Sequence, residues 1–144
     1  MSGKTRILFI CTANAARSQM AEGMFRARYG DQYEVSSAGT HPSSQLSPRA
    51  VQVMQEIGID ISGHRPKHID EFSGVSFDIV ITLCDRAHEE CPILPRAKTM
   101  IHKGFPDPHL TPGDDEGILD GYRSVRNLIS AWIDQNFGPG KISK

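Results

Sequence analysis

The things this sequence has little of narrow it first. It holds three cysteines in 144 residues. That number is too small and too odd for the disulfide framework of a secreted domain, so the thiols are left with packing, metal binding, or redox and nucleophilic chemistry. Neither charge is in excess: 16 lysines and arginines stand against 17 acids, a formal net charge of −1. This argues against nucleic acid or a strongly cationic partner. Long apolar runs are missing as well, and Ile7–Ile10 and Ile79–Leu83 are far too short to cross a bilayer. Met1-Ser2-Gly3-Lys4-Thr5-Arg6 has a basic start but no apolar stretch or cleavage signal behind it, so no secretory peptide is expected. Internal repeats, low-complexity segments and linkers are absent too. The expectation is a cytoplasmic monomer of one domain, residues 1–144, with 138–144 as a frayed tail.

Short strand signals alternate with helical ones. Arg6–Cys11 is a continuous apolar run of the kind buried on both faces of a sheet. Ser18–Tyr29 carries Met20, Ala21, Met24 and Phe25 at helical spacing, and Tyr33–Ser37 is a second strand. Ser47 is placed to cap a helix with Pro48 at its first position, and Gly58 is placed to end it. Phe77–Leu83 is the clearest buried strand and Lys98–His102 a weaker fourth. After a Pro/Gly-rich stretch from Gly104 to Gly113, Ile118, Tyr122, Val125, Ile129, Trp132 and Ile133 recur with a 3.6 period. The alternation predicts an α/β fold, a parallel sheet with helices on both faces. Ligands of such sheets bind beyond the carboxyl ends of the strands, where Cys11 and Cys84 fall.

Cys11-Thr12-Ala13-Asn14-Ala15-Ala16-Arg17-Ser18 joins the first strand to the first helix. A loop in that position can turn backbone N–H groups inward, and the helix dipole favours an anion there. Residues 12–17 are therefore the candidate oxyanion cradle. Arg17 can fork two donors onto a tetrahedral oxyanion, and Ser18 can donate to the Cys11 thiolate. Helix N-termini and cations lower thiol pKa values to roughly 3.5–7.5, which makes Cys11 the candidate nucleophile. Asn14 tolerates a left-handed backbone where the loop lacks glycine.

From Cys11 through Gln19-Met20-Ala21-Glu22-Gly23 the chain resembles the low-molecular-weight tyrosine phosphatase superfamily, and in particular its arsenate reductase branch. The resemblance continues through Ser37-Ala38-Gly39, Gly58-Ile59-Asp60-Ile61-Ser62, Thr82-Leu83-Cys84 and Cys91-Pro92-Ile93-Leu94-Pro95, and reaches about Phe137. It implies a four-stranded parallel sheet wrapped by helices. It also implies a three-cysteine relay. Cys11 attacks arsenate, Cys84 then attacks Cys11 as arsenite leaves, and Cys91 resolves the bond to leave Cys84–Cys91 for an external thiol reductant. Thioredoxin is the implied partner, with glutaredoxin open; phosphate and sulfate are the implied competing anions. No tightly bound cofactor and no metal are expected.

Were Asp85–Glu90 a continuous helix, its seven-residue rise would hold Cys84 and Cys91 about 10.5 Å apart, against the roughly 7 Å limit for a disulfide. The relay therefore needs a non-helical or unwinding segment. Two other readings stand beside it: both cysteines as packing residues, or Cys84, His88 and Cys91 as three ligands of a zinc ion with no evident fourth.

The superfamily carries its general acid on an Asp-Pro pair before the last helix, which makes Asp107 of Phe105-Pro106-Asp107-Pro108 the implied proton donor; by composition alone the pair is a turn. Asp114, Asp115 and Glu116 read as first-turn acids of that helix. His109 stands where the phosphatases place a tyrosine, which weakens the competing reading of a tyrosine phosphatase working through a Cys11 phosphocysteine. Ala13 and Ala16 replace the glycine and cysteine of many reductases, and Ala16 removes a thiol that could trap Cys11. Some relatives bind potassium through positions resembling Asn14, Glu22, Ser37 and an aspartate. Lys67 stands at that last position, where its ammonium could replace the cation outright or be a solvated loop lysine, and no potassium requirement is expected. His41, His64, His68 and His102 show no ligand spacing and are assigned no role.

Overall fold

The computed structural model describes residues 4–83 and 96–138. Strands β1 (Thr5–Cys11), β2 (Tyr33–Gly39), β3 (Ser76–Thr82) and β4 (Arg96–His102) form one sheet in the order β2-β1-β3-β4, with every neighbouring pair parallel. Among the described residues, helices α1 (Arg17–Tyr29), α2 (Pro48–Gln55) and α3 (Asp115–Phe137) flank the sheet, with single 3-10 turns at Ile69–Phe72 and Pro108–Leu110. This is the α/β, four-stranded parallel architecture that the alternation of elements predicts.

The centre of the sheet follows from composition. Successive side chains of a strand point to opposite faces, yet Ile7, Leu8, Phe9 and Ile10 are all fully buried. Both faces of β1 are therefore covered. Phe25 of α1 packs edge-on to Phe9 with ring centroids 5.9 Å apart, and also meets Phe137 of α3. β4 is an edge strand, and its Lys98, Thr99 and Met100 are exposed.

Boundaries shift slightly from the sequence reading. β2 runs on to Gly39 because its last residues pair with β1 as far as Cys11↔Gly39. β4 begins at Arg96, since pairing with Ser76 and Phe77 extends it. α2 stops at Gln55, and Gly58 closes the following turn at φ +80°. Asp114 is the cap of α3, accepting from the Gly117 N–H at 3.0 Å, rather than a first-turn acid.

The register places the carboxyl ends of β1 and β3 side by side, with Ile10 opposite Thr82. Leu83 carries the rim onward: its N–H donates to the Ile10 carbonyl at 2.8 Å and its carbonyl accepts from Phe105 N–H at 2.9 Å. No helix among the described residues is long and apolar enough to cross a membrane. Cys84, His88, Cys91 and the whole 85–90 segment lie outside the described residues, as does the tail beyond Gly138.

Candidate active site

The loop between β1 and α1 is held from outside. Each carbonyl from Cys11 to Ala16 accepts a hydrogen bond: Cys11 from Thr40 N–H (3.2 Å), Thr12 from His41 (2.8 Å), Ala13 from Ser43 (2.9 Å), Ala15 from Ser47 (3.0 Å) and Ala16 from Met20 (2.8 Å). The Asn14 carbonyl takes a side-chain donor instead, Gln19 Nε2 at 3.1 Å. In a planar trans peptide the N–H points opposite to the carbonyl before it. Carbonyls bonded outward therefore leave the N–H groups of residues 12–17 facing the other way, into a common cradle.

α1 completes that cradle by what it lacks. Ala16 at its N-cap offers no side-chain acceptor, and no acid sits in the first turn. α2 and α3 instead carry side-chain caps at Ser47 and Asp114. The first N–H groups and positive dipole end of α1, with no side-chain cap, are thus left for an external anion. Gly39 lets the loop approach β2, because a Cβ there would lie 2.5 Å from the Thr12 carbonyl oxygen.

Cys11 stands at the floor as a buried thiol, 2% exposed. The Asn14 N–H donates to its Sγ at 3.2 Å, and Ser18 Oγ lies 2.9 Å away. The direction of that second bond can be worked out from the network behind it. The Glu22 carboxylate only accepts, so Ser37 Oγ donates to Glu22 Oε1 at 2.5 Å. Ser37 then accepts from Asn14 Nδ2 at 3.0 Å, and Ser18 accepts from the same nitrogen at 2.6 Å. The Lys67 backbone N–H, which can only donate, fixes Asn14 Oδ1 as acceptor at 2.8 Å. The hydroxyl proton of Ser18 is left for Cys11, where it stabilises a thiolate. Asn14 supports this arrangement at φ +51°, the left-handed region that asparagine tolerates.

Arg17 arches over the cradle, with Nη1 donating to the Phe105 carbonyl at 3.0 Å and Nη2 lying 3.8 Å from Asp107 Oδ2. Asp107 caps the 3-10 turn that follows, its Oδ1 accepting from His109 N–H at 3.0 Å. Cys11, Arg17 and Asp107 line one cavity of about 360 Å³, walled further by Ser47, Arg49 and Tyr122. The site thus brings together Cys11, Thr12, Ala13, Asn14, Ala15, Ala16, Arg17, Ser18 and Asp107. Cys84 and Cys91 cannot be added, since both lie outside the described residues.

Behind the loop, Lys67 Nζ lies 4.0 Å from Glu22 Oε1, and Arg26 pairs with Glu22 at 2.6 Å. Burial pulls the Lys67 ammonium below the usual lysine range, against the attraction of Glu22. An alkali cation does not fit here: it would meet an ammonium, and Asn14 Oδ1 already accepts from Lys67 N–H and Gln19. Among the described residues no group of three or more His, Cys, Asp or Glu could hold a metal.

The sequence reading left out Gln19, His64 and the clamp formed by residues 40–47. Gln19 enters the sequence reading only within the motif Gln19-Met20-Ala21-Glu22-Gly23, with no role of its own, whereas a fully buried glutamine demands partners. His64, assigned no role from sequence, lies with Nδ1 2.9 Å from Gln19 Oε1.

The family described as low molecular weight phosphotyrosine protein phosphatase matches residues 6–135. An arsenate reductase of Halalkalibacterium halodurans is 41% identical over 138 residues, 96% of this chain and 99% of that protein. Arsenate reductase 1 of Staphylococcus epidermidis is 46% identical over 131 residues, covering 91% and 94%. Among solved structures, a low molecular weight protein tyrosine phosphatase from T. tengcongensis superposes with a TM-score of 0.76 at 29% identity, covering 92% of this chain and 97% of its own. An arsenate reductase in the phosphate binding state gives 0.69 at 30%, covering 91% and 95%. A thioredoxin-dependent arsenate reductase of Corynebacterium glutamicum gives 0.67 at 28%, covering 93% of this chain and 62% of that one.

Proposed function

The chain belongs to the low molecular weight phosphotyrosine protein phosphatase family, and on that premise we propose that it is a single-domain enzyme that reduces arsenate to arsenite with Cys11 as nucleophile. The observation that carries this reading is the cradle: outward-bonded carbonyls surround a buried thiol that accepts from Asn14 N–H and Ser18. Relatives at 41% and 46% identity that are arsenate reductases supply the choice of oxyanion.

The steps balance as a two-electron reduction. The Cys11 thiolate attacks arsenic, and Asp107 protonates the oxygen that departs as water. The Cys84 thiolate attacks Cys11 sulfur, the S–As bonding pair passes to arsenic, and arsenite leaves. Cys91 then attacks Cys84 sulfur, freeing Cys11 as thiolate and leaving a Cys84–Cys91 disulfide. An external dithiol, thioredoxin by the likeness to the C. glutamicum protein, returns the disulfide to two thiols. Support for the first transfer lies in the residues before Cys11 and Cys84, since Leu83 N–H donates to the Ile10 carbonyl at 2.8 Å. Phosphate is a competing anion because the cradle distinguishes tetrahedral oxyanions poorly, and Lys67 serves as an internal cation in place of potassium.

A second, weaker activity is favoured by the cavity. Its volume of about 360 Å³ exceeds what one oxyanion fills, so phosphomonoesters can enter: the Cys11 thiolate takes the phosphoryl group as the ester P–O bond breaks, Asp107 protonates the departing alcohol, and water then releases phosphate from the thiol. The test for the main reading is arsenite production by the reduced enzyme with a thioredoxin system. Cys91→Ser should stop after one arsenite per chain, holding a Cys11–Cys84 bond. If Cys84→Ser and Cys91→Ser both turn over arsenate as the parent does, the relay is wrong.

A further inference from the structure

Five of the six outward bonds that shape the anion loop come from backbone N–H groups. The sixth, at Asn14, comes from Gln19. It matters most where it stands. Asn14 sits at φ +51°, and its carbonyl faces away from any backbone donor among these contacts, so the peptide between Asn14 and Ala15 depends on a side chain for its orientation.

Gln19 is fully buried in the first turn of α1, and its amide has one consistent orientation. The groups around one end are all acceptors: Asn14 O at 3.1 Å, Asn14 Oδ1 at 3.1 Å and Arg65 O at 2.9 Å. That end is therefore the NH₂. The remaining oxygen lies 2.9 Å from His64 Nδ1, which must carry a proton to bond it. The same glutamine thus ties the loop to residues 65–67, from which Lys67 N–H reaches Asn14 Oδ1.

We propose that Gln19 and His64 are a positioning pair for oxyanion binding: Gln19 turns the Asn14 carbonyl outward so that the Ala15 N–H faces the anion, and His64 holds Gln19 in that pose. Neither residue touches the substrate. Removing the Gln19 donor leaves a buried carbonyl unpaired, and the peptide can relieve this by rotating toward other donors, which takes the Ala15 N–H out of the cradle. A glutamine that merely filled space would contribute to stability alone.

This inference rests on the anion-loop reading above, and the test separates the two. The probe is inorganic phosphate, read by protection of Cys11 from alkylation in a Cys84→Ser/Cys91→Ser background, where Cys11 is the remaining thiol. Thermal midpoints are measured alongside. Gln19→Met keeps the bulk and loses the donor, and should weaken phosphate binding about tenfold, the scale of one lost hydrogen bond to an anion. His64→Leu should weaken it several-fold. His64→Asn should restore binding, because an asparagine amide nitrogen can occupy the place of Nδ1. Should Gln19→Met fail to fold, the two His64 variants decide alone. Phosphate affinities equal to the parent's in Gln19→Met and His64→Leu, with only the midpoint lowered, overturn the proposal. A parent protein that phosphate does not protect at all refutes the anion-loop reading itself.

Discussion

Replacing Asn14 by alanine should be among the most damaging changes outside the hydrophobic core. Two costs add. Alanine has no side chain to bond locally in the left-handed region, where asparagine sits at φ +51°, and that conformation costs an ordinary residue about 1 kcal/mol or more. Loss of Oδ1 also orphans the Lys67 N–H, which donates to it at 2.8 Å in a partly buried site, at about 1–3 kcal/mol. The other partners each keep at least one contact: Ser37 retains Glu22, Ser18 retains Cys11, and Gln19 retains the Asn14 carbonyl and Arg65. The sum is about 3 kcal/mol, or a fall of roughly 10 °C in midpoint for a chain of this size. Denaturant unfolding in reducing, anion-free buffer measures it, since bound phosphate would mask part of the loss. Asn14→Gly should recover about 1 kcal/mol of this by relieving the backbone alone. If Asn14→Ala unfolds within about 0.5 kcal/mol of the parent, or Asn14→Gly is no better than alanine, the network reasoning fails.

Arsenate turnover should be the same in potassium and sodium salts, and a strong rise with potassium would remove Lys67 from its role as internal cation. Asp107→Asn should lower turnover by roughly 10²–10⁴-fold while leaving phosphate protection of Cys11 intact; an equal loss of both would make Asp107 a binding residue instead. Burial holds the His64 pKa below its ordinary value of 6.5, and the nearby charges of Glu22, Arg26, Lys67 and Asp60 modify it. The unfolded chain therefore takes up the proton first, so this contribution to stability is complete above about pH 6.5 and is lost as pH falls toward the folded value. His64→Asn should flatten that part of the stability curve, and an unchanged slope would assign it to other groups.

Much of the fold was legible because its signals are local. A run of four fully buried residues in β1 reads as a central strand from either face, and Ser47-Pro48 announces α2. The edge strand was read short because Arg96 and Ala97 join it by pairing with Ser76 and Phe77, which no local pattern reveals. The site divides in the same way. Cys11 to Ser18 lie within one turn of chain, so their spacing carries the chemistry. The support for the loop comes from residues 40–47, from Gln19 and from Lys67, up to 53 residues away. Asn14 Oδ1 meets Lys67 N–H only because β2 and the segment after Gly63 fold back beside β1, a register that one sequence does not show. Gln19 is not legible because glutamines are mostly exposed, and only its burial in α1 exposes a demand for partners.

The central claim is tested most directly by a disulfide map. Oxygen-free, fully reduced protein is mixed with arsenate, with phosphate as control, and thiols and disulfides are located by mass spectrometry while arsenite is counted. The account predicts that arsenate alone yields one Cys84–Cys91 bond and one arsenite per chain, with Cys11 returned as a free thiol. Three persistent thiols and no arsenite, together with hydrolysis of a phosphate ester, would contradict it and make the chain a phosphatase.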